Sequence, residues 1–325
     1  MEKELKQLMG FRPSIRVLDA TLRDGGLVND FRFSDDFVRA LYQANRQAGV
    51  DYMEFGYRAS KRLFNEADFG PWKFATDDDI RAIVGDNADG PKLSVMADVG
   101  RCDYRTDIVN KSDSPVDMIR VACYLHQIPS AVAMIEDAKK KGYEVTCNIM
   151  AISNGQESDI RQALEMIGQS PVDVIYIVDS FGSLFPEETS RVVDIYRETS
   201  EKYGKELGIH AHNNLQLAFA NTIECVGDGV NYLDATYNSM GRGAGNCAME
   251  LLLGFLRNPK YREYAAFRFV QDYMQPLKES GVTWGYDLQY LVTGLMDQHP
   301  RPAIAFTKAG RRDYADFYQE IQLLD

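Results

Sequence analysis

Several absences narrow the field before any motif is read. No apolar run in the 325 residues approaches the ~20 needed to span a bilayer. The N-terminal stretch MEKELKQLMG is charged and lacks a signal-peptide core. The five cysteines (Cys102, Cys123, Cys147, Cys225, Cys247) are widely spaced and form no CxxC pair, so reduced core cysteines of a cytoplasmic protein are expected. Positive charge is scarce. Thirty-six Lys and Arg face 48 Asp and Glu, a net of −12, which argues against nucleic acid or an anionic membrane as the main partner. An anionic small molecule is still admissible, because a bound cation reverses the field within one pocket. No GxGxxG follows the first β-rich run, which speaks against a doubly wound dinucleotide fold. The 25 glycines and 11 prolines are scattered, so no low-complexity linker divides the chain.

Eight short apolar, β-rich runs stand in the first 240 residues: IRVLDA (15–20), YMEFG (52–56), KLSVMAD (92–98), MIRVACY (118–124), EVTCNIM (144–150), VIYIVDS (174–180), GIHAHN (208–213) and YLDATYN (232–238). Near-continuous apolarity suits parallel strands covered by helices. Helix-length segments separate most of them. SDDFVRALYQANRQAG opens on Ser34 and closes on Gly49, and PSAVAMIEDAKKKG and PEETSRVVDIYRETSEKYG each run from a proline to a glycine. The third repeat is the weakest, since RCDYRTDIVNKSDSP is short and polar. The pattern predicts a (β/α)8 TIM barrel over residues 1–258. Past residue 258 the rhythm stops, and AAFRFVQDYMQPLKESG, YDLQYLVTGLMDQ and YADFYQEIQLL predict a small C-terminal helical appendage over 259–325. His299-Pro300 reads as a helix terminator without chemistry.

In such a barrel the site lies at the C-terminal ends of the strands. Polar residues collect there in three places: Arg23-Asp24 after the first strand, His210-Ala211-His212 at the end of the seventh, and Gly241-Arg242-Gly243-Ala244-Gly245-Asn246 after the eighth. Side chains two apart on a strand share a face, so both imidazoles point the same way. Strands seven, eight and one become neighbours on closure, which brings Asp24 to the histidine pair. Two imidazoles and one carboxylate hold a divalent cation while leaving positions for substrate.

LDATLRDGG and IHAHNNLQLAFANTIECVGDGVNYLDATYNSMGRGAGN resemble the DxTLRDG and HxHN…GxGxGN motifs of the DRE-TIM metallolyase superfamily, in order and spacing. Its members include the 4-hydroxy-2-oxovalerate aldolases, which this chain most resembles, the hydroxymethylglutaryl-CoA lyases, and the isopropylmalate and homocitrate synthases. The resemblance implies a Mn2+ or Mg2+ ion on Asp24, His210 and His212, with Asn246 a further ligand. It implies that Arg23 stabilises an enolate and that Ser180, in VDSFG, contacts the substrate. GYDLQYLVTG loosely resembles the aldolase segment in which a tyrosine orients the substrate, which would be Tyr290. The implied reaction is aldol cleavage or formation between a 2-oxo acid and an aldehyde, by a protein that assembles with copies of itself. The aldolases often pass their aldehyde to an acylating dehydrogenase, and nothing in this sequence points to such a partner.

One departure stands out. The aldolases carry a histidine, their general base, three residues after the metal aspartate, where this chain has Leu27. The synthases carry Glu-Gln where it has Gly26-Leu27. His126 at the end of the fourth strand, Glu54 at the end of the second, and Tyr57 are the candidate replacements, His126 first because its ordinary pKa suits proton transfer near neutrality. Two other readings stay open: an acetyl-CoA-dependent Claisen synthase, for which no separate acyl-CoA signal is present, and a non-catalytic barrel subunit.

Overall fold

A computed structural model describes residues 12–323. The charged N-terminal decapeptide lies outside that range, as do the last two residues. Eight strands occupy the places that their apolarity predicts: β1 (Arg16–Asp19), β2 (Tyr52–Tyr57), β3 (Lys92–Asp98), β4 (Met118–Cys123), β5 (Glu144–Ile149), β6 (Val174–Asp179), β7 (Glu206–Ala211) and β8 (Tyr232–Ala235). They pair in parallel, in chain order, and close where Arg16 meets Tyr232 and Asp19 meets Ala235. Every residue of β4 and β6 is buried, as expected for strands covered on one side by helices and filling the barrel on the other.

The helices that wrap the barrel begin and end on local chemistry. Helix Asp35–Ala48 starts where Ser34 Oγ accepts the Phe37 N–H at 3.2 Å and stops at Gly49 in the left-handed region. Helix Pro186–Tyr203 begins on proline and ends at Gly204 the same way. The polar third repeat provides only the single turns Tyr104–Asp107 and Lys111–Asp113. No helix among the described residues is long and apolar enough to cross a membrane.

The barrel's hydrophobic core runs on past residue 258 through Tyr261, Phe269, Met274 and Trp284. Helix Glu263–Phe269 packs against helix Asp35–Ala48 and so completes the outer ring. Three further helices, Leu288–Leu295, Arg301–Lys308 and Tyr314–Gln322, enclose a second core of Val292, Ala303, Phe306, Phe317 and Ile321. Of these, Arg301–Lys308 was not expected. His299-Pro300 does not end a helix, since the preceding one has already stopped at Leu295. It begins the next, where the missing proline N–H costs nothing.

The pairing of β2 with β3 slips between Glu54 and Tyr57. Three residues apart on a regular strand, these two side chains would face opposite sides. The bulge lets Glu54 reach the barrel interior while Tyr57 reaches the pocket above it. Gly56 makes this local path, with φ of 139° and a backbone so close to the Trp72 carbonyl that a Cβ would sit 1.9 Å from its oxygen. Gly56→Ala should therefore cost about 2–3 kcal/mol in chemical denaturation, through strain and overpacking together. A loss under roughly 0.5 kcal/mol, the range of an ordinary surface substitution, would show that the bulge tolerates a side chain.

Candidate metal centre and active site

The turn after β1 is built by its own sequence. Asp19 Oδ1 accepts the Thr21 N–H at 2.9 Å and the Thr21 hydroxyl, and its other oxygen accepts Asn45 Nδ2 at 2.7 Å. Thr21 Oγ1 in turn accepts the Tyr237 N–H at 2.9 Å, tying the ends of β1 and β8 together. Burial pushes the Asp19 carboxyl up to about 6, against these hydrogen bonds. The single helical turn Thr21–Gly25 that results is wholly buried and aims both Arg23 and Asp24 inward.

Asp24, His210 and His212 converge: one ligand atom from each lies within 4.8 Å of the others. His210 Nδ1 lies 2.9 Å from Asp234 Oδ2, and His212 Nδ1 lies 2.9 Å from the Asp179 carbonyl oxygen. Both contacts need an Nδ1–H, so both Nε2 atoms present lone pairs. His210 Nε2 faces the Arg23 guanidinium at 3.4 Å, and His212 Nε2, 3.5 Å from Asp24 Oδ2, is buried without a hydrogen-bond partner. Asn246 Nδ2 donates to Asp24 Oδ2 at 2.6 Å, and Asn246 Oδ1 is likewise buried without a partner. Two imidazole lone pairs, an ionised carboxylate and an unsatisfied amide oxygen together fit a divalent cation, and the outward nitrogens are held as metal-binding imidazoles commonly are. Burial alone would raise the Asp24 carboxyl, but the Arg23 guanidinium holds it well below the usual range. Burial, then the Arg23 charge, lowers His210 and keeps it neutral.

Beneath this centre runs a buried chain of charges. Arg23 Nη1 binds Asp24 at 2.6 Å and its Nε binds Glu54 Oε2 at 2.9 Å. Arg120 Nη1 takes the same Glu54 oxygen at 2.8 Å, and its Nη2 reaches Asp234 at 2.5 Å. Asp234 then holds His210.

A pocket opens above the centre. Arg23, Asp24, His210 and His212 form its floor, and Leu27, Met96, Met150 and Val178 line much of its wall. Tyr57, Ser180, Asn148 and Arg242 add the remaining polar groups. Ser180 Oγ accepts the Ala151 N–H at 2.8 Å. Burial, with Asp98 adding and Arg23 opposing, pushes the Tyr57 phenol above its ordinary value and keeps it protonated at neutral pH.

Of the three groups expected to replace the missing histidine, only Tyr57 lines this pocket. His126 does not: it is exposed on the turn Leu125–Gln127, stacked on Tyr124 with ring centroids 5.8 Å apart, and borders a separate groove. The strand ends two residues before that turn, which carries the ring out over the barrel rim. Glu54 sits below the pocket, its Oε2 shared by two guanidiniums. Tyr290 packs its ring against Gly243 and belongs to the second hydrophobic core, away from the pocket wall. Asn148 and Arg242 were not singled out from the sequence. Asn148 follows strand alternation from Thr146, to which it is hydrogen-bonded at 2.8 Å, and Arg242 stands within a quoted motif.

The fold and the placement of these groups define a (β/α)8 barrel with a candidate divalent-cation site at the strand ends. The chain belongs to the HMGL-like family, whose model matches residues 14–268. It is 30% identical over 243 residues to an oxaloacetate decarboxylase of Mycobacterium tuberculosis, covering 74% of this chain and 69% of that one. It is 28% identical over 256 residues to a 4-hydroxy-2-oxovalerate aldolase of Pelotomaculum thermopropionicum, covering 77% and 72%. Among solved structures, the N-terminal domain of a provisionally assigned aldolase from Bacteroides vulgatus superposes with a TM-score of 0.76 at 27% identity, covering 90% of this chain and 96% of that one. Bacillus subtilis HMG-CoA lyase, at 13% identity and a TM-score of 0.64 over 86% and 97% of the two chains, shares the fold.

Removing one member of the buried charge chain leaves others unpaired. Arg120→Met should destabilise the protein by about 3–5 kcal/mol, because Glu54 and Asp234 would remain as buried anions. Urea denaturation measures this, and a loss under about 1 kcal/mol would mean that the interior accommodates those carboxylates without a cation.

Proposed function

We propose that the protein is a divalent-metal-dependent lyase that makes or breaks a carbon–carbon bond of a 4-hydroxy-2-oxo acid through the enolate of pyruvate. The observation that carries the reading is the convergence of Asp24, His210 and His212 beneath a pocket into which Arg23 projects. A bound Mn2+ or Mg2+ would act as a Lewis acid toward the carboxylate and keto oxygens of a 2-oxo acid. Asp24, His210 and His212 would hold it, with Asn246 available as a further ligand.

The chain's own groups supply the rest. Arg23 cannot lose its proton, and its guanidinium is fixed by Asp24 and Glu54, so it offers a preorganised donor to the enolate oxygen. Asn148 Nδ2, buried on the pocket wall without a partner, is a further donor to the substrate. The Ser180 hydroxyl is oriented by the Ala151 N–H it accepts and stays free to donate. Tyr57 is the proton carrier. In the direction of bond formation, the enolate C3 attacks the acceptor carbonyl carbon and the neutral phenol protonates the oxygen that becomes the 4-hydroxyl. In cleavage the Tyr57 phenol first gives its proton to solvent, the phenolate takes the 4-hydroxyl proton, the C3–C4 pair becomes the enolate and C4 leaves as the aldehyde carbonyl. The phenol then protonates C3 to give pyruvate and regains its proton from solvent, and bond formation is the same sequence reversed. The apolar wall keeps water from the enolate.

A second reading is the decarboxylation of a 3-carboxy-2-oxo acid, favoured by the pocket having no neutral histidine or free carboxylate at the aldolase base position, now Leu27. There the C3–carboxylate pair stays behind as the enolate, carbon dioxide leaves, and only a proton donor is needed.

The experiment is a turnover screen with Mn2+ or Mg2+: pyruvate with aldehydes for bond formation, and oxaloacetate for release of carbon dioxide. Exhaustive chelation should abolish turnover, and Mn2+ should restore it. Asp24→Asn and His212→Ala should each weaken cation binding measured by calorimetry, by about tenfold or more. Turnover unaffected by chelation, in protein found free of metal by elemental analysis, would sink the reading. Tyr57→Phe should lower kcat by roughly 10² to 10⁴ in either reaction. A variant with full turnover would assign the proton to another group.

A further inference from the structure

Arg242 lines the same pocket as Arg23 and Asp24. Its neighbour Gly241 packs directly on the cation centre, where a Cβ would lie 2.6 Å from Asp24 Oδ2. A second guanidinium thus reaches the pocket that Arg23 and Asp24 line.

Its partners are few. Nη2 donates to the Ser180 carbonyl at 3.1 Å, and Nη1 faces His299 Nε2 at 3.4 Å. His299 Nδ1 already accepts the Arg301 N–H at 3.1 Å. Burial, then the Arg242 charge, lowers His299 to about 3, so the ring is neutral. A neutral ring that accepts at Nδ1 carries its proton on Nε2, and offers Arg242 no lone pair. Arg242 Nε is buried with no acceptor, and the side chain forms no ion pair among the described residues. Arg23, by contrast, is neutralised by two carboxylates. A guanidinium does not shed its proton, so a largely buried and unpaired one is costly unless an anion arrives.

We propose that Arg242 receives a second carboxylate of the substrate, so that the acid cleaved or formed is a 4-hydroxy-2-oxo diacid whose aldehyde half carries that carboxylate. This rests on the lyase reading above and names its substrate class. The carboxylate must be one that survives the reaction. A guanidinium holding a departing carboxylate would stabilise charge present in the ground state and lost in the transition state, which slows the step. A carboxylate on the aldehyde half keeps its charge throughout. The apolar part of the wall, with Leu27, Met96 and Met150, suits a short carboxylated carbonyl compound as acceptor.

Two unreactive acids test this, since neither has a 4-hydroxyl: 2-oxoglutarate, with a distal carboxylate, and 2-oxovalerate, with a methyl group in its place. Calorimetric titration of the Mn2+-loaded protein should show 2-oxoglutarate binding about 10- to 100-fold more tightly. Arg242→Met should bring that ratio toward one, and Arg242→Lys should keep part of it. Equal affinities in the unaltered protein, or a preference that survives in Arg242→Met, would overturn the assignment. Pyruvate, titrated alongside with and without Mn2+, separates the two levels. Absence of Mn2+-dependent pyruvate binding would remove the lyase reading and this inference with it. Pyruvate binding without discrimination between the longer acids would remove the role of Arg242 alone.

Discussion

Glu54 Oε2 accepts hydrogen bonds from both Arg23 Nε and Arg120 Nη1, and the site hangs on that shared oxygen. Arg23 is thereby fixed with its remaining nitrogens toward Asp24 and the pocket. Arg120 is fixed with its other end on Asp234, which sets the tautomer and tilt of His210. Strands β1, β2, β4, β7 and β8 each contribute a member, itself or through the turn that follows. A TIM barrel is the architecture in which all five can meet, because closure makes β8 a neighbour of β1. Such a chain is not retained for stability, since buried ion pairs seldom repay their desolvation. Its product is orientation.

Charge balance gives the same account. Two guanidiniums, Arg23 and Arg120, face three carboxylates, Asp24, Glu54 and Asp234, while the two imidazoles present lone pairs. These five charged groups are one negative charge in excess, the Arg242 guanidinium standing outside the chain. A divalent cation reverses that excess to one positive, and the carboxylate of a 2-oxo acid restores neutrality. Cation and ligand therefore favour each other's binding electrostatically, while the apolar pocket wall keeps the surrounding dielectric low.

Much of this was legible in the sequence, for identifiable reasons. Near-continuous apolarity marked all eight strands, and the HxH spacing on β7 marked a shared face. The strand order marked the meeting of Asp24 with the histidine pair once the barrel closed, and the family resemblance added Asn246. Other features were not legible because they depend on a single local departure from regularity. Tyr57 was named beside Glu54 as a candidate, but strand alternation sets the two on opposite faces, and the bulge at Gly56 that turns Tyr57 into the pocket has no sequence signal of its own. His126 looked catalytic from its place after β4, but the turn that follows faces it outward. Arg242 was visible as a residue, though its lack of a carboxylate partner is a property of the packed loop. His299-Pro300 starts a helix instead of ending one, because the preceding helix stops earlier than the apolar pattern implies.

The most direct measurement is a crystal structure of the protein with Mn2+ and oxalate, a mimic of the pyruvate enolate, with anomalous scattering to locate the metal. The account predicts one Mn2+ bound by an Asp24 carboxylate oxygen and the Nε2 atoms of His210 and His212, with oxalate chelating it and one oxalate oxygen hydrogen-bonded to Arg23. An anomalous peak away from these three residues, or oxalate bound elsewhere with the centre empty at saturating Mn2+, would contradict it.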